Sequence, residues 1–178
     1  ENCSSEYGID PSELLGKMDL VILSPGVPAD HKMLNKAKKN GVQLIGELGF
    51  AAAHLSVPIL AVTGTNGKSS TAWYAKQFLE QAGFSPFIGG NFGMALSLLS
   101  LEPGSHDIAV VEVSSYQMEL PGSFHPKAAA LLNLTPDHLA RHKTMDVYAE
   151  MKRRIFQQQT PEDYAISPAN GVQSLRPS

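Results

Sequence analysis

Val57-Pro58-Ile59-Leu60-Ala61-Val62-Thr63-Gly64-Thr65-Asn66-Gly67-Lys68-Ser69-Ser70 is the stretch that decides the fold class. Its first half is a short apolar run without polar interruption, which reads as a buried strand. Glycines then punctuate a turn, and a helix is expected from Lys68 to about Ala82, stopped by Gly83. A strand, a glycine-rich loop and a helix in that order make a cradle for phosphates. The glycines let backbone N–H groups turn inward, and the helix N-terminus adds a partial positive charge. Lys68 is placed to reach β- and γ-phosphates, and the Ser69 hydroxyl suits Mg²⁺. Gly64, Thr65, Asn66, Gly67, Lys68, Ser69 and Ser70 are therefore the candidate nucleotide-binding residues. The general phosphate loop has a glycine six residues before its lysine, and here that place is Val62. On spacing alone, a plain strand-to-helix turn with a surface lysine stays open.

Outward from this stretch, strands and helices alternate. Asp19–Ser24 reads as a buried strand closed by Pro25-Gly26, residues 30–40 as a surface helix ended by Gly41, and Val42–Ile45 as the next strand. A helix over 46–55 follows. Residues 85–89 make a short strand before the loop Gly89-Gly90-Asn91-Phe92-Gly93 and a short helix through Leu99. Ile108–Val113 and Ala128–Leu134 are further buried strands. Thr135-Pro136-Asp137 opens a helix by cap and first-turn proline rules, Asp146 caps a helix to about Gln158, and Tyr164–Ile166 is a last strand. This alternation implies an α/β fold with a mostly parallel sheet covered by helices on both faces. A boundary near Ser56 is expected, with the end of a smaller Rossmann-like α/β unit in 1–56 and the main domain, not necessarily whole, in 57–178. The polar tail from Ser167 reads as a frayed end.

Bulk properties narrow the partners. The 178 residues carry a net charge of −3, which argues against nucleic acid or an anionic membrane as the main partner. Cys3 is the only cysteine, so no internal disulfide framework exists and the cytoplasm is the default compartment. No apolar run reaches the roughly 18 residues needed to span a bilayer. No signal peptide is visible at Glu1-Asn2-Cys3, and the first residue is not methionine, so a fragment of something longer is expected.

Three further stretches carry carboxylates, a histidine and a lysine. Glu112-Val113-Ser114-Ser115-Tyr116-Gln117-Met118-Glu119 sits at the carboxyl end of a buried strand, where ligands gather in open α/β sheets. Glu112 is a hard oxygen donor suited to Mg²⁺, or equally a strand-end carboxylate in water. In Leu132-Asn133-Leu134-Thr135-Pro136-Asp137-His138-Leu139, a lone histidine is by chemistry more often structural. In Tyr148-Ala149-Glu150-Met151-Lys152-Arg153-Arg154-Ile155, Lys152 reads on its own as one basic residue on a solvated helix face. His31, His54, His106, His125 and His142 read as surface or core histidines, and Trp73 and Tyr74 as packing residues.

Taken together, these motifs resemble those of the Mur ligase family, whose relatives include the folylpolyglutamate and cyanophycin synthetases. Gly-Thr-Asn-Gly-Lys-Ser is similar to the family's ATP loop, which shares the shorter spacing. The Glu112 stretch resembles the Glu-Leu-Ser-Ser-Phe-Gln-Leu-Glu signature of the branch that adds D-glutamate. The His138 stretch is similar to the family's Asn-X-Thr-X-Asp-His motif. The Lys152 helix resembles the one that carries a carbamoylated lysine. Gly89–Gly93 looks like the family's Gly-Gly-Asn-Ile-Gly loop, and Ser24-Pro25-Gly26-Val27 like the turn bordering its UDP site. The match runs from about Asp19 to Ile155.

The resemblance implies a cytoplasmic, monomeric bacterial ligase of peptidoglycan synthesis. It implies ATP and two Mg²⁺ ions, one held by Ser69 and Glu112, the other by His138 and a carbamoylated Lys152. Lys68, Glu112, His138 and Lys152 would be the catalytic set. Gly26, Asn91, Ser114, Gln117 and Asp137 would face the substrates UDP-N-acetylmuramoyl-L-alanine and D-glutamate. Residues 1–56 would be the end of a nucleotide-sugar domain and 57–178 the central ATP domain. The family's third, D-glutamate-binding domain would lie outside this stretch, so the fragment alone is expected to be inactive. Three alternatives stand beside this: another ligase of the superfamily such as a folylpolyglutamate synthetase, a simple nucleotide hydrolase, and a non-catalytic nucleotide-binding fragment.

Overall fold

Every strand pairing among the described residues is parallel. The computed structural model describes residues 11–168; the readings made for Cys3, the chain start and the tail beyond Pro168 lie outside them. Strands β1 (Leu20–Leu23) and β2 (Gln43–Gly46) form a two-stranded sheet. Strands β3 (Ile59–Thr63), β4 (Pro86–Gly90), β5 (Ile108–Glu112), β6 (Ala128–Leu131) and β7 (Tyr164–Ile166) form a second sheet in the order β4-β5-β3-β6-β7. Residues of β3 and β5 are almost all buried, which is why both read as continuous apolar runs rather than as alternation. With β3 in the middle, its carboxyl end opens over the centre of the sheet, flanked by the ends of β5 and β6.

The helices are α1 (Pro11–Leu15), α2 (Asn35–Lys39), α3 (Glu47–Ala52), α4 (Lys68–Gln81), α5 (Leu96–Leu99), α6 (Leu139–His142) and α7 (Met145–Arg153). The main core joins Ala61, Val111 and Ala129 of the sheet to Leu48 and Ala51 of α3, Leu96 and Leu99 of α5, and Ile155 and Phe156 beyond α7. A smaller cluster of Val21, Leu23 and Leu34 lies under the two-stranded sheet. Thus α3, on the amino-terminal side of the expected boundary at Ser56, packs into the core of the larger sheet.

Five local expectations are corrected. Thr135-Pro136-Asp137 does not open a helix, because His138 adopts a left-handed φ of 54° and α6 begins only at Leu139. The Asp137 carboxylate is used at once, accepting from the His138 amide at 2.8 Å, and Thr135 is bonded to Thr65 instead of capping. Asp146 is not the cap of α7; Thr144 accepts from the Val147 amide, and Asp146 lies in the first turn, where its charge favours the helix dipole. That helix ends at Arg153, ahead of a 3₁₀ turn over Arg154–Phe156, and strand β6 ends at Leu131 rather than Leu134. Trp73 and Tyr74 do not pack inward: they are 48% and 63% exposed, and Ala72 is the residue that α4 buries. No helix among the described residues is long and apolar enough to cross a membrane.

Part of the seam between the two sheets is a backbone contact. The Gly46 amide donates to the Leu120 carbonyl at 2.9 Å. A Cβ on Gly49 would lie 2.2 Å from the Pro121 carbonyl oxygen. Replacing a mid-helix glycine by alanine ordinarily gains about 1 kcal/mol of helix propensity. Here the obstacle is main chain and cannot rotate away, and overpacking costs about 1–3 kcal/mol. Gly49→Ala is therefore expected to lower the melting temperature in thermal denaturation followed by circular dichroism; an unchanged or raised melting temperature would contradict the close packing of α3 on the 120–122 segment.

Candidate active site

The loop after β3 is shaped by glycine and by side chains from three other segments. Thr63 donates through Oγ1 to the Val113 carbonyl at 2.7 Å and so locks the ends of β3 and β5 together. Gly67, at φ 83°, turns the chain into α4, a conformation in which a side chain would be strained. The Asn133 side chain accepts at Oδ1 from the Thr65 and Asn66 amides, at 3.1 and 2.9 Å, and donates through Nδ2 to the Asn66 carbonyl at 3.0 Å. Lys68 folds over the loop and donates to the Thr65 carbonyl at 2.8 Å. Ser70 lies exposed in the first turn of α4.

Glu112 ends β5 and is 2% exposed. A carboxylate so buried needs donors, and two supply them. Ser69 Oγ donates to Oε2 at 2.6 Å and Asn91 Nδ2 to Oε1 at 2.7 Å. The Asn91 amide also donates to the Glu112 carbonyl at 2.8 Å, which fixes the glycine-rich loop against the strand end. Gly90, at φ 98°, permits that approach; a Cβ there would sit 2.4 Å from the same carbonyl oxygen.

Lys152 projects from α7, is 2% exposed, and donates to the Gly64 carbonyl at 2.7 Å. Burial first, and the nearby Lys68 ammonium second, lower its pKa from the ordinary 10.5 to about 8, while Asp137 and Glu112 pull the other way. The buried Tyr148 ring lies 4.8 Å from Lys152 Nζ, and its hydroxyl is 3.1 Å from Thr65 Oγ1. His138 is half-exposed, with Nδ1 3.3 Å from the Tyr116 hydroxyl and its ring centroid 6.2 Å from that of Tyr148. Lys68, Ser69, Asn91, Glu112, Asp137, His138 and Lys152 thus surround one loop mouth.

Other expected residues are engaged elsewhere. Gln117 is buried and turned onto Ser114, accepting from its amide at 2.8 Å and its hydroxyl at 3.0 Å. The Gly26 carbonyl accepts from Arg141 Nη1 at 3.3 Å, so its turn is tied to the Arg141–Glu119 pair. Among the described residues no group of three or more His, Cys, Asp and Glu side chains could hold a metal. The donors that do converge, the Glu112 carboxylate beside the Ser69 hydroxyl, are hard oxygens and fit Mg²⁺ as partial ligation completed by phosphate oxygens or water.

Sequence reasoning missed two contributors, Asn133 and Arg141, and left open whether His142 lies in the core. Asn133 stood inside a quoted motif, but its role depends on where β6 ends. Arg141 forms a bidentate pair with Glu119, Nε to Oε1 at 2.7 Å and Nη2 to Oε2 at 2.8 Å, a pairing across 22 positions with no local signal. His142 is a core histidine, 4% exposed, with Nε2 2.9 Å from Ser115 Oγ and ring centroids 5.5 Å from those of Tyr116 and Tyr148. Burial, aided by the positive charges of Arg141, His138 and Lys152, lowers its pKa against the opposite pull of Glu119.

Residues 62–175, more than half of the chain, match the model of the Mur ligase middle domain. The chain belongs to the Mur ligase family. Over 161 residues it is 44% identical to the UDP-N-acetylmuramoylalanine–D-glutamate ligase of Alkaliphilus metalliredigens, a match that covers 89% of this chain and 35% of that protein. It is 43% identical over 148 residues to the ligase of the same name from Trichlorobacter lovleyi, covering 83% and 33%. The chain therefore spans about a third of the length of these Mur ligase relatives. The MurF ligase of Thermotoga maritima, solved in complex with ADP, superposes with a TM-score of 0.56 at 19% identity over 88% of this chain and 47% of that one. The UDP-N-acetylmuramate:L-alanyl-gamma-D-glutamyl-meso-diaminopimelate ligase of Neisseria meningitides gives 0.60 at 20% identity over 93% and 57%. Both share the fold, a mostly parallel α/β arrangement.

The environment of Lys152 makes a pH prediction. Its folded pKa lies below its unfolded one, so between about pH 8 and 10.5 the unfolded chain holds the extra proton and stability rises with pH. In Lys152→Met the gain should vanish. Urea unfolding from pH 7.5 to 10.5 in metal-free buffer should show wild type gaining on the variant across that window, by roughly 3 kcal/mol at most. Parallel pH profiles would mean that Lys152 is solvated.

Proposed function

We propose that the intact protein is the ATP-dependent ligase that joins D-glutamate to UDP-N-acetylmuramoyl-L-alanine in peptidoglycan synthesis, and that this chain supplies its central ATP-binding part. The observation that carries the reading is the junction at Glu112. A buried carboxylate at a strand end takes hydrogen bonds from the first turn after a phosphate loop (Ser69) and from a neighbouring glycine-rich loop (Asn91). Membership of the family supports ligation. The Ser114-Ser115-Tyr116-Gln117 stretch and the names of the most similar relatives favour D-glutamate as the added amino acid.

The reaction needs a carboxylate made electrophilic. The acceptor carboxylate attacks the γ-phosphorus of ATP, ADP leaves, and an acyl phosphate forms. The D-glutamate amine then attacks the acyl carbon, phosphate leaves with its bonding pair, and the amine gives up a proton. The loop Gly64–Ser70 shapes the phosphate site. Lys68, released from the Thr65 carbonyl, neutralises charge on the transferred group. Ser69 and Glu112 would hold one Mg²⁺, and His138 with a carbamoylated Lys152 a second; such ions offset the repulsion between carboxylate and phosphate. The lowered pKa of Lys152 favours the carbamate, since only the neutral amine adds CO₂. Gly26, Asn91, Ser114, Gln117 and Asp137 are proposed substrate contacts; of these, Asn91 and Asp137 stand at the loop mouth. Residues up to about Ser56 would then close a nucleotide-sugar domain. The working protein is proposed to be a cytoplasmic monomer.

Phosphate release by the full-length protein tests this. It should require ATP, UDP-N-acetylmuramoyl-L-alanine and D-glutamate together. Lys68→Ala and Glu112→Gln should each lower kcat/KM by at least ~100-fold, about 2.7 kcal/mol of transition-state stabilisation. Phosphate release that ignores the acceptor, or that prefers L-glutamate and a folate, would replace the assignment.

A further inference from the structure

We infer that Asn133 is a positioning residue that shapes the phosphate loop, holding the Thr65 and Asn66 amides for itself and leaving nucleotide phosphates the amides from Gly67 to Ser70. The second half rests on the proposed ATP site; the first half does not.

The geometry is specific to a carboxamide. Asn133 Oδ1 accepts from two consecutive amides, Thr65 and Asn66, at 3.1 and 2.9 Å. Its Nδ2 donates to the Asn66 carbonyl at 3.0 Å. Only one orientation of the side chain satisfies all three, because the reverse would set an NH₂ against two N–H donors. Aspartate keeps the acceptor and loses the donor, while alanine keeps neither. The Thr65 amide is also shared with the Asn133 backbone carbonyl at 3.1 Å, so side chain and main chain grip the same point. A second strut comes from Thr65 Oγ1, which donates to the Thr135 carbonyl at 3.2 Å and accepts from the Thr135 amide at 3.1 Å.

These contacts divide the loop. Its first part, Thr65 and Asn66, is fastened to the segment after β6 and has its amides occupied. Its second part, Gly67 and the first turn of α4, has N–H groups with no acceptor inside the helix, at the positive end of the dipole. An anion entering the mouth therefore finds its unoccupied amides at Gly67 and the first turn of α4 rather than at Thr65 and Asn66. The anchor stands five positions before His138 in the same segment, so one side chain sets the loop at a fixed place relative to that histidine.

Residue-resolved amide hydrogen exchange on the intact protein decides between this and a loop that stands by itself. In wild type the Thr65 and Asn66 amides should exchange slowly without nucleotide. Asn133→Ala should speed both at least tenfold and leave amides of β4 and α5 unchanged. Asn133→Asp, which covers the case in which alanine fails to fold, should retain part of the protection. ATP with Mg²⁺ should slow Gly67–Ser70 and leave Thr65 and Asn66 as they were, and Asn133→Ala should weaken ATP binding at least tenfold. Unchanged exchange at Thr65 and Asn66 in both folded variants would overturn the positioning role. If the variants respond as expected but ATP binds nowhere on wild type, the proposed ATP site and the phosphate half of this inference fall together, while the anchoring by Asn133 stands.

Discussion

A carboxylate withdrawn from water governs this end of the molecule. Burying a charge costs several kcal/mol unless hydrogen bonds and opposite charge replace the lost hydration. Glu112, 2% exposed, gets both: two short side-chain hydrogen bonds from Ser69 and Asn91, and the field of the buried Lys152. Each donor brings a backbone with it. Ser69 fixes the start of α4, and Asn91 fixes the loop after β4. The requirement to satisfy one carboxylate thus places the ends of two crossover connections side by side at the centre of a parallel sheet.

The same logic explains the lysine. Lys152 is as buried as Glu112, but its nearest partner is a neutral carbonyl, that of Gly64, and Lys68 stands close by. Burial and a like charge both disfavour its ammonium form, and the more distant carboxylates only partly offset them. The site therefore keeps its anionic group well solvated by protein donors and its second cation poorly so. That asymmetry is opposite to what a structural ion pair would need.

Much of this was legible in the chain. The strand-loop-helix over Val57–Ser70 gave the parallel α/β class, because a buried strand has no polar face to interrupt its apolar run. Glu112 could be singled out because a strand end is a local feature, while Asn91 was named only through the family resemblance of its glycine-rich loop. What escaped depended on distant partners or on competition between local rules. Thr135-Pro136-Asp137 satisfies the rules for a helix start, yet the Thr135 backbone is bonded to Thr65 and His138 turns left-handed, so the helix is deferred. Lys152 looks like one charge among three on a helix, and only tertiary packing buries it while Met151 and Arg153 stay partly exposed. Trp73 and Tyr74 looked like core by composition, but α4 meets the sheet through Ala72, and close helix-on-sheet approach favours the small side chain.

The four residues of α6 show how short a path joins the two sheets. Leu139–His142 follows the left-handed turn at His138, which sets the direction of everything after it. Three residues on, Arg141 grips Glu119 with two hydrogen bonds and reaches the Pro25 and Gly26 carbonyls of the smaller unit, while Glu119 accepts from the Ala29 amide. One residue further, His142 is buried between Tyr116 and Tyr148, and Tyr148 bonds Thr65 in the loop after β3. Consecutive side chains of one helical turn therefore point toward the Ser24–Gly26 turn and toward the loop. Neither contact can be moved far without moving the other, because a single turn of helix has no internal hinge. The left-handed φ at His138, unfavourable for a non-glycine residue by roughly 1–2 kcal/mol, is held by contacts on both sides of it, the Asp137 carboxylate before and the Arg141–Glu119 pair after.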